Sequence, residues 1–159
     1  MYGPGQSGAG PGSLRIQATE GITRGVCRFL RSAGYTVLRE FRLKSKRRAD
    51  VTGLDGQGKF VIVEVKSSAE DFRSDQKWLD YGPHCDAFYF AVSENFPLEI
   101  LPQQHGLIVA DAYGAEILRP APVEPMNGNR RRLQLLNFAR AGADRLERHL
   151  DGAGVRNHT

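Results

Sequence analysis

Between Ile16 and Ala33, apolar residues recur at steps of three and four. Ile22, Val26, Phe29, Leu30 and Ala33 mark one side of a helix. Ser32-Ala33-Gly34 stops it, with Gly34 suited to the left-handed residue after a helix end. The period then shortens to two. Tyr35–Leu43 alternates and predicts a strand, Arg47–Leu54 a second, and Lys59–Lys66 a third across the turn Asp55–Gly58. Ala69–Gly82 returns to helical spacing, with Phe72, Trp78, Leu79 and Tyr81 available for an inner face. Asp86–Val92 reads as a buried strand, and Gly106–Asp111 with Ala115–Pro120 as a second hairpin. Arg130–Leu150 predicts a last helix, with a break expected near Gly142. The order helix, three strands, helix, strand, hairpin, helix predicts an α/β fold with a central mixed sheet flanked by helices.

Residues 1–13 and 151–159 are predicted as disordered tails, residues 14–120 as the folded domain, and residues 121–129 as a linker to the last helix. Hydrophobic residues at 40% and charged residues at 25% of 159 allow one core and exclude global disorder. No apolar run approaches the roughly 18 residues of a membrane helix. The N-terminus has neither the charged nor the apolar region of a signal peptide, so a cytoplasmic location is expected and no membrane partner. Cys27 and Cys85 have no zinc spacing and read as buried thiols. A net charge of +4 leans mildly towards a polyanionic partner, and clustering sharpens it: Lys44 to Arg48 holds four cations, and Arg130 to Arg132 three.

The run Lys59–Lys66 changes the picture. Phe60, Ile62, Glu64 and Lys66 share one face of a strand, and Val61, Val63 and Val65 the other. Both faces begin apolar, so the strand is central and its charges fall at its C-terminal end. A buried charge without partners costs several kcal/mol. Glu64 therefore needs a divalent cation or a neighbouring Lys or Arg. The hairpin register decides which carboxylate joins it. A four-residue loop, Asp55–Gly58, sets Asp50 against Val63, on the face away from Glu64. A three-residue loop, Gly56–Gly58, sets Asp50 against Glu64 and places Gly58 where a left-handed residue is wanted. The second register is expected. Asp50, Glu64 and the carbonyl of Val65 then suit Mg2+, or Mn2+ in its place, with Lys66 near the attacking water. Salt bridges, of Glu64 with Lys66 or of Asp50 with an arginine, are the structural alternative.

Ala49-Asp50, thirteen residues, then Glu64-Val65-Lys66 resembles the motif of the PD-(D/E)xK nuclease superfamily, and the order of elements is similar to that superfamily's core. The longer run Arg47–Val92, with Gly106–Arg119, resembles the MmcB family of inferred DNA repair endonucleases, a likeness covering Ile16 to Arg119. The resemblance implies a restriction-endonuclease-like core. It also implies metal ligation by Asp50 and Glu64, a catalytic Lys66, DNA as substrate, and phosphodiester hydrolysis by metal-activated water. Ala49 stands where the superfamily usually has proline. Members often add a glutamate from the first helix, and here Glu20 borders its apolar stripe, with a solvated flank as the other reading. A Q-x-x-x-Y signature of some relatives is approximated by Gln76, Lys77 and Tyr81. Lys77 and Tyr81, four apart, are expected to face phosphate together. Lys46, Arg47 and Arg48 lead into Asp50 and are expected to contact DNA, or else to lie in a solvated loop. The superfamily includes inactive relatives, so a DNA-binding or repair-assembly factor without catalysis is the alternative, with repair proteins and a homodimer as further partners. Asp75 is expected to pair with a cation, Asp111 to make a turn, and His84, His105, His149 and His158 to lie on the surface.

Overall fold

A computed structural model describes residue 8 and residues 10–156, so most of the expected N-terminal tail and residues 157–159 lie outside the described residues. The first helix, α1 (Pro11–Ser32), begins inside the stretch expected as a tail. Pro11 opens it, where a missing amide proton costs nothing. Six strands follow: β1 (Thr36–Arg42), β2 (Arg48–Leu54), β3 (Phe60–Val65), β4 (Ala87–Val92), β5 (Gly106–Ala110) and β6 (Ala115–Arg119). Between β3 and β4 lies α2 (Ala69–Ser74), and after β6 comes α3 (Gly128–Arg156). The strands form one sheet in chain order. β3, β4 and β5 are parallel, and the other neighbours are antiparallel. This is the α/β architecture with a mixed central sheet that the pattern predicts.

All of β3 is buried, as a strand apolar on both faces requires. On one face Ile22, Val26, Cys27 and Leu30 of α1 pack on Val51, Val61, Val63 and Ile108. Gly25 allows this approach, since a Cβ there would lie 1.9 Å from the Asp111 carbonyl oxygen. On the other face Phe41, Phe60, Ile62, Phe88 and Phe90 form an aromatic core that includes Tyr81 and is closed by Phe138 of α3. The Phe138 ring meets Phe41 and Phe60 edge-on, at 5.5 and 5.7 Å between centroids. Cys27 and Cys85 are buried free thiols, as expected. Among the described residues no helix is long and apolar enough to cross a membrane.

The β2–β3 hairpin takes the expected register. Val51 faces Val63 and Leu54 faces Phe60. The Asp55 amide donates to the Lys59 carbonyl at 3.0 Å, and Gly58 turns the chain at φ +82°. The Asp55 carboxylate, accepting from the Gln57 and Lys59 amides at 2.8 and 2.9 Å, locks the turn. One step beyond Val51 and Val63, Asp50 lies across from Glu64.

Three expectations change. The helix expected over Ala69–Gly82 stops at Ser74. Asp75 is extended (φ −129°, ψ 116°), and two single turns follow, Lys77–Asp80 and Gly82–His84. Asp75 Oδ1 accepts the Lys77 amide at 3.0 Å, a local bond that competes with helix. Lys77 and Tyr81 therefore share no helical face. The last helix starts before Arg130, where Asn127 Oδ1 accepts the amides of Asn129 and Arg130, and it runs unbroken through Gly142 past Leu150. The cost of an interior glycine, about 1 kcal/mol, is too small to break it. Finally, His84 is buried, and His105 lies among Trp78, Phe88 and Phe90 rather than on the open surface.

Arg131 has a structural task. Its guanidinium grips Asp86 with bonds of 2.8 and 2.5 Å and also reaches the Gly58 carbonyl. Asp86 further accepts the amides of Phe60 and Met126 at 2.8 and 2.9 Å. Burial alone would raise the Asp86 pKa, but Arg131 and these two amides hold it down at about 2. The start of α3 is thus bolted to the edge of the core.

Candidate active site

A cleft of about 420 Å³ opens at the C-terminal end of β3, between the first turns of α1, the β1–β2 turn and α2. Asp50, Glu64, Val65, Lys66, Lys46, Arg47, Arg48, Lys77 and Tyr81 all line it. Glu20 does not. It is exposed and bonds Arg39 at 2.7 Å. Each helical residue turns about 100°, so when Arg15 and Thr19, four apart, face the cleft, Glu20 faces β1 instead. The sequence reading missed Arg15 and Thr19, although their i, i+4 spacing was available as a signal.

The β2–β3 ladder ends at Val51 and Val63, and the strands part. The Asp50 carboxylate fills the gap, its Oδ2 accepting the Val65 amide at 2.8 Å. This fixes Asp50 beside Glu64. Glu64 is only 3% exposed, and its Oε1 has no hydrogen-bond partner among the described residues. Burial first, then a hydrogen bond to Asp50 and the Asp50 charge, push the Glu64 pKa up to about 10 against the opposing pull of Lys66. Burial and the neighbouring Asp50 thus favour the protonated form of Glu64 when no cation is bound.

Lys66 is 2% exposed and does not pair with Glu64. Its ammonium donates to Asp75 Oδ2 at 3.2 Å. Burial would raise the Asp75 pKa, but the Lys77 amide and Lys66 hold it low. Asp75 thus pairs with a cation, as expected. Among the described residues Asp50 has no arginine partner either, so neither ion pair of the structural alternative forms. Tyr81 is buried beneath the cleft, not extended across it. Its hydroxyl donates to the Arg48 carbonyl at 2.9 Å, and burial together with Glu64 and Asp50 raises its pKa. Tyr81 therefore holds β2 in place from the floor of the cleft.

These donors match a hard dication. An orphaned, buried carboxyl oxygen lies beside a second carboxylate, where repulsion is relieved only by a proton or a cation. Among the described residues no three His, Cys, Asp or Glu side chains converge. The protein offers two carboxylates with Val65 alongside, leaving room for the waters and phosphate oxygens that Mg2+ retains.

The rim is cationic but largely paired. Arg47 meets Asp80 at 3.0 Å, Arg48 meets Glu40 at 3.8 Å, and Arg15 meets Glu70 at 3.5 Å. Lys46 and Lys77 have no ion-pair partner among the described residues. Lys46 and Glu40 hold left-handed backbones, at φ +70° and +51°. Glu40 falls between the β1–β2 pairs Arg39–Val51 and Phe41–Ala49, and so flanks Asp50 on the far side from Glu64. Arg145 of α3 donates to the carbonyls of Arg39 and Glu40, the latter at 2.9 Å.

Comparison with known proteins agrees with this fold. A solved structure of a protein of unknown function from Silicibacter pomeroyi is 40% identical, with 87% of this chain and 94% of that one covered at a TM-score of 0.83. No curated protein matches. The family model for the DNA repair protein MmcB-like matches residues 12–153, nearly the whole described chain, and the protein belongs to this DNA repair family.

Proposed function

We propose that this protein is a metal-dependent DNA endonuclease of repair, hydrolysing phosphodiester bonds with water. The observation that carries the reading is the unpartnered Oε1 of buried Glu64 beside Asp50, in a cleft that also holds the pinned ammonium of Lys66. Asp50, Glu64 and the Val65 carbonyl would hold Mg2+ or Mn2+. The bound ion supplies Lewis acidity that polarises the phosphate and acidifies water. Asp50, held by the Val65 amide, needs no reorganisation to serve as a ligand. Lys66 directs its remaining protons to the attacking water or to charge growing on the phosphoryl oxygens. Lys46 and Lys77 meet flanking phosphates, and Arg47 and Arg48 exchange their rim carboxylates for phosphate when DNA enters.

The test uses purified protein with single-stranded, duplex and branched DNA in Mg2+ or Mn2+. Cleavage is expected, with loss in Glu64→Gln and Lys66→Ala while binding in Ca2+ persists. Binding without cleavage of any substrate by the wild type would replace this reading with a non-catalytic DNA-binding repair factor.

A further inference from the structure

Between Gln134 and Leu150, α3 has two unlike sides. One touches the body: Gln134 and Phe138 are buried, and Arg145 reaches β1. On the opposite side, Leu136, Ala139, Ala143, Leu146 and Leu150 follow steps of three, four, three and four. All five are exposed, the leucines at 52%, 59% and 56%. At about 100° per residue this stripe lies about 130° round the helix from the line Phe138–Arg145. Its spacing is the a/d repeat of a two-helix seam, and its two alanines allow close helix approach. The helix extends past its last contacts with the sheet, where an isolated helix has little stability in water.

From this geometry we infer that the stripe is a homodimer interface, in which α3 pairs antiparallel with α3 of a second copy about a two-fold axis near Ala143. Charge selects both the partner and the direction. Arg140 and Glu147 flank the stripe on one edge, seven residues apart, and neither has an ion pair among the described residues. A two-fold axis near Ala143 sets Arg140 against Glu147 of the second copy, and Glu147 against its Arg140, as an isologous contact requires. A parallel pairing would set them against Leu135 and Gly142, with no charge to meet. A second copy therefore completes two ion pairs and covers the leucines with its own.

Sedimentation equilibrium of the full chain, without DNA or metal, tests this across two decades of concentration. A monomer–dimer equilibrium is expected. Arg140→Glu should weaken it roughly tenfold or more by opposing like charges, and Arg140→Glu with Glu147→Arg should restore it. Leu146→Asp should give a monomer whose circular dichroism keeps the sheet signal. Ala143→Cys should form an intermolecular disulfide on mild oxidation, since Cys27 and Cys85 are buried. A wild type monomeric throughout, with the stripe covered only by a different protein, overturns the inference. So does a dimer indifferent to Leu146→Asp, or a charge swap that fails to restore association.

Discussion

The buried ammonium of Lys66 is held by Asp75, at 3.2 Å, and not by its neighbour Glu64. The division of labour matters chemically. Asp75 answers the lysine charge, which leaves Glu64 Oε1 without a hydrogen-bond partner among the described residues. Asp75 is itself held by the Lys77 amide, at the point where the α2 helix is forced to end.

On the proposed function, Asp75 is a positioning residue for Lys66. Asp75→Asn should lower the DNA cleavage rate about 10- to 100-fold by misplacing Lys66, with little change in KM. It should also shift the pH–rate profile, because the lysine loses the charge that faces it. An unshifted profile with an unchanged rate would assign Asp75 to α2 architecture alone.

Glu64 makes the protein less stable than it needs to be. Its folded pKa, about 10, lies above the ordinary 4.5. The folded state therefore binds the extra proton, and stability falls as pH rises from the ordinary carboxylate range towards 10. Glu64→Gln removes this dependence and should stabilise the metal-free protein by about 1–3 kcal/mol at neutral to alkaline pH. On the proposed function, the same proton would leave when Mn2+ binds. Calorimetry in buffers of different ionisation enthalpy should find about one proton released per ion, and none in Glu64→Gln. Denaturant midpoints of both proteins, measured from pH 5 to 9 without metal, check the stability half.

Asp86 acts in the opposite sense. Its folded pKa, about 2, lies below the ordinary 3.8, so its contribution is complete above that ordinary value and disappears as pH falls towards 2. The shift corresponds to about 2 kcal/mol. Asp86→Asn should be destabilised by roughly that amount at pH 7 and should lose the steepest part of its acid transition. Acid unfolding followed by far-ultraviolet circular dichroism measures both. An unchanged acid limb would mean that the Arg131 clamp contributes nothing to folding.

How much of this was legible in the sequence depended on distance along the chain. The Asp50–Glu64 juxtaposition followed from loop length and Gly58, because a hairpin register is a local property. The core faces followed from periods of two and of three to four. The break at Asp75 did not, since an aspartate that accepts the amide two residues on leaves no mark in the hydrophobic period. Nor did the Arg131–Asp86 clamp, whose partners are far apart in sequence and belong to no shared period. Glu20 was misplaced by one helical position, about 100°, which is enough to exchange the cleft for Arg39. Arg15 and Thr19 hold the places the glutamate was expected to approach.

Lys46 shows strain retained at the lip of the cleft. Its left-handed backbone, φ +70°, costs a non-glycine residue about 1 kcal/mol. The turn that holds it is closed by the Leu43 amide on the Arg47 carbonyl at 2.8 Å and the Lys46 amide on the Leu43 carbonyl at 2.9 Å. Glycine would occupy this position without the steric penalty, yet the chain keeps a lysine with no ion-pair partner among the described residues. The proposed phosphate contact would account for that choice. Lys46→Gly should raise stability by about 0.5–1 kcal/mol. It should also weaken DNA binding evenly across sequences and flatten the salt dependence of log K by about one unit. Lys46→Gln, which keeps the strain and loses only the charge, should reproduce the DNA defect without the gain in stability. Thermal unfolding and binding titrations at several salt concentrations separate the two effects. If both variants bind DNA like the wild type, Lys46 serves the turn and the phosphate path lies elsewhere on the rim.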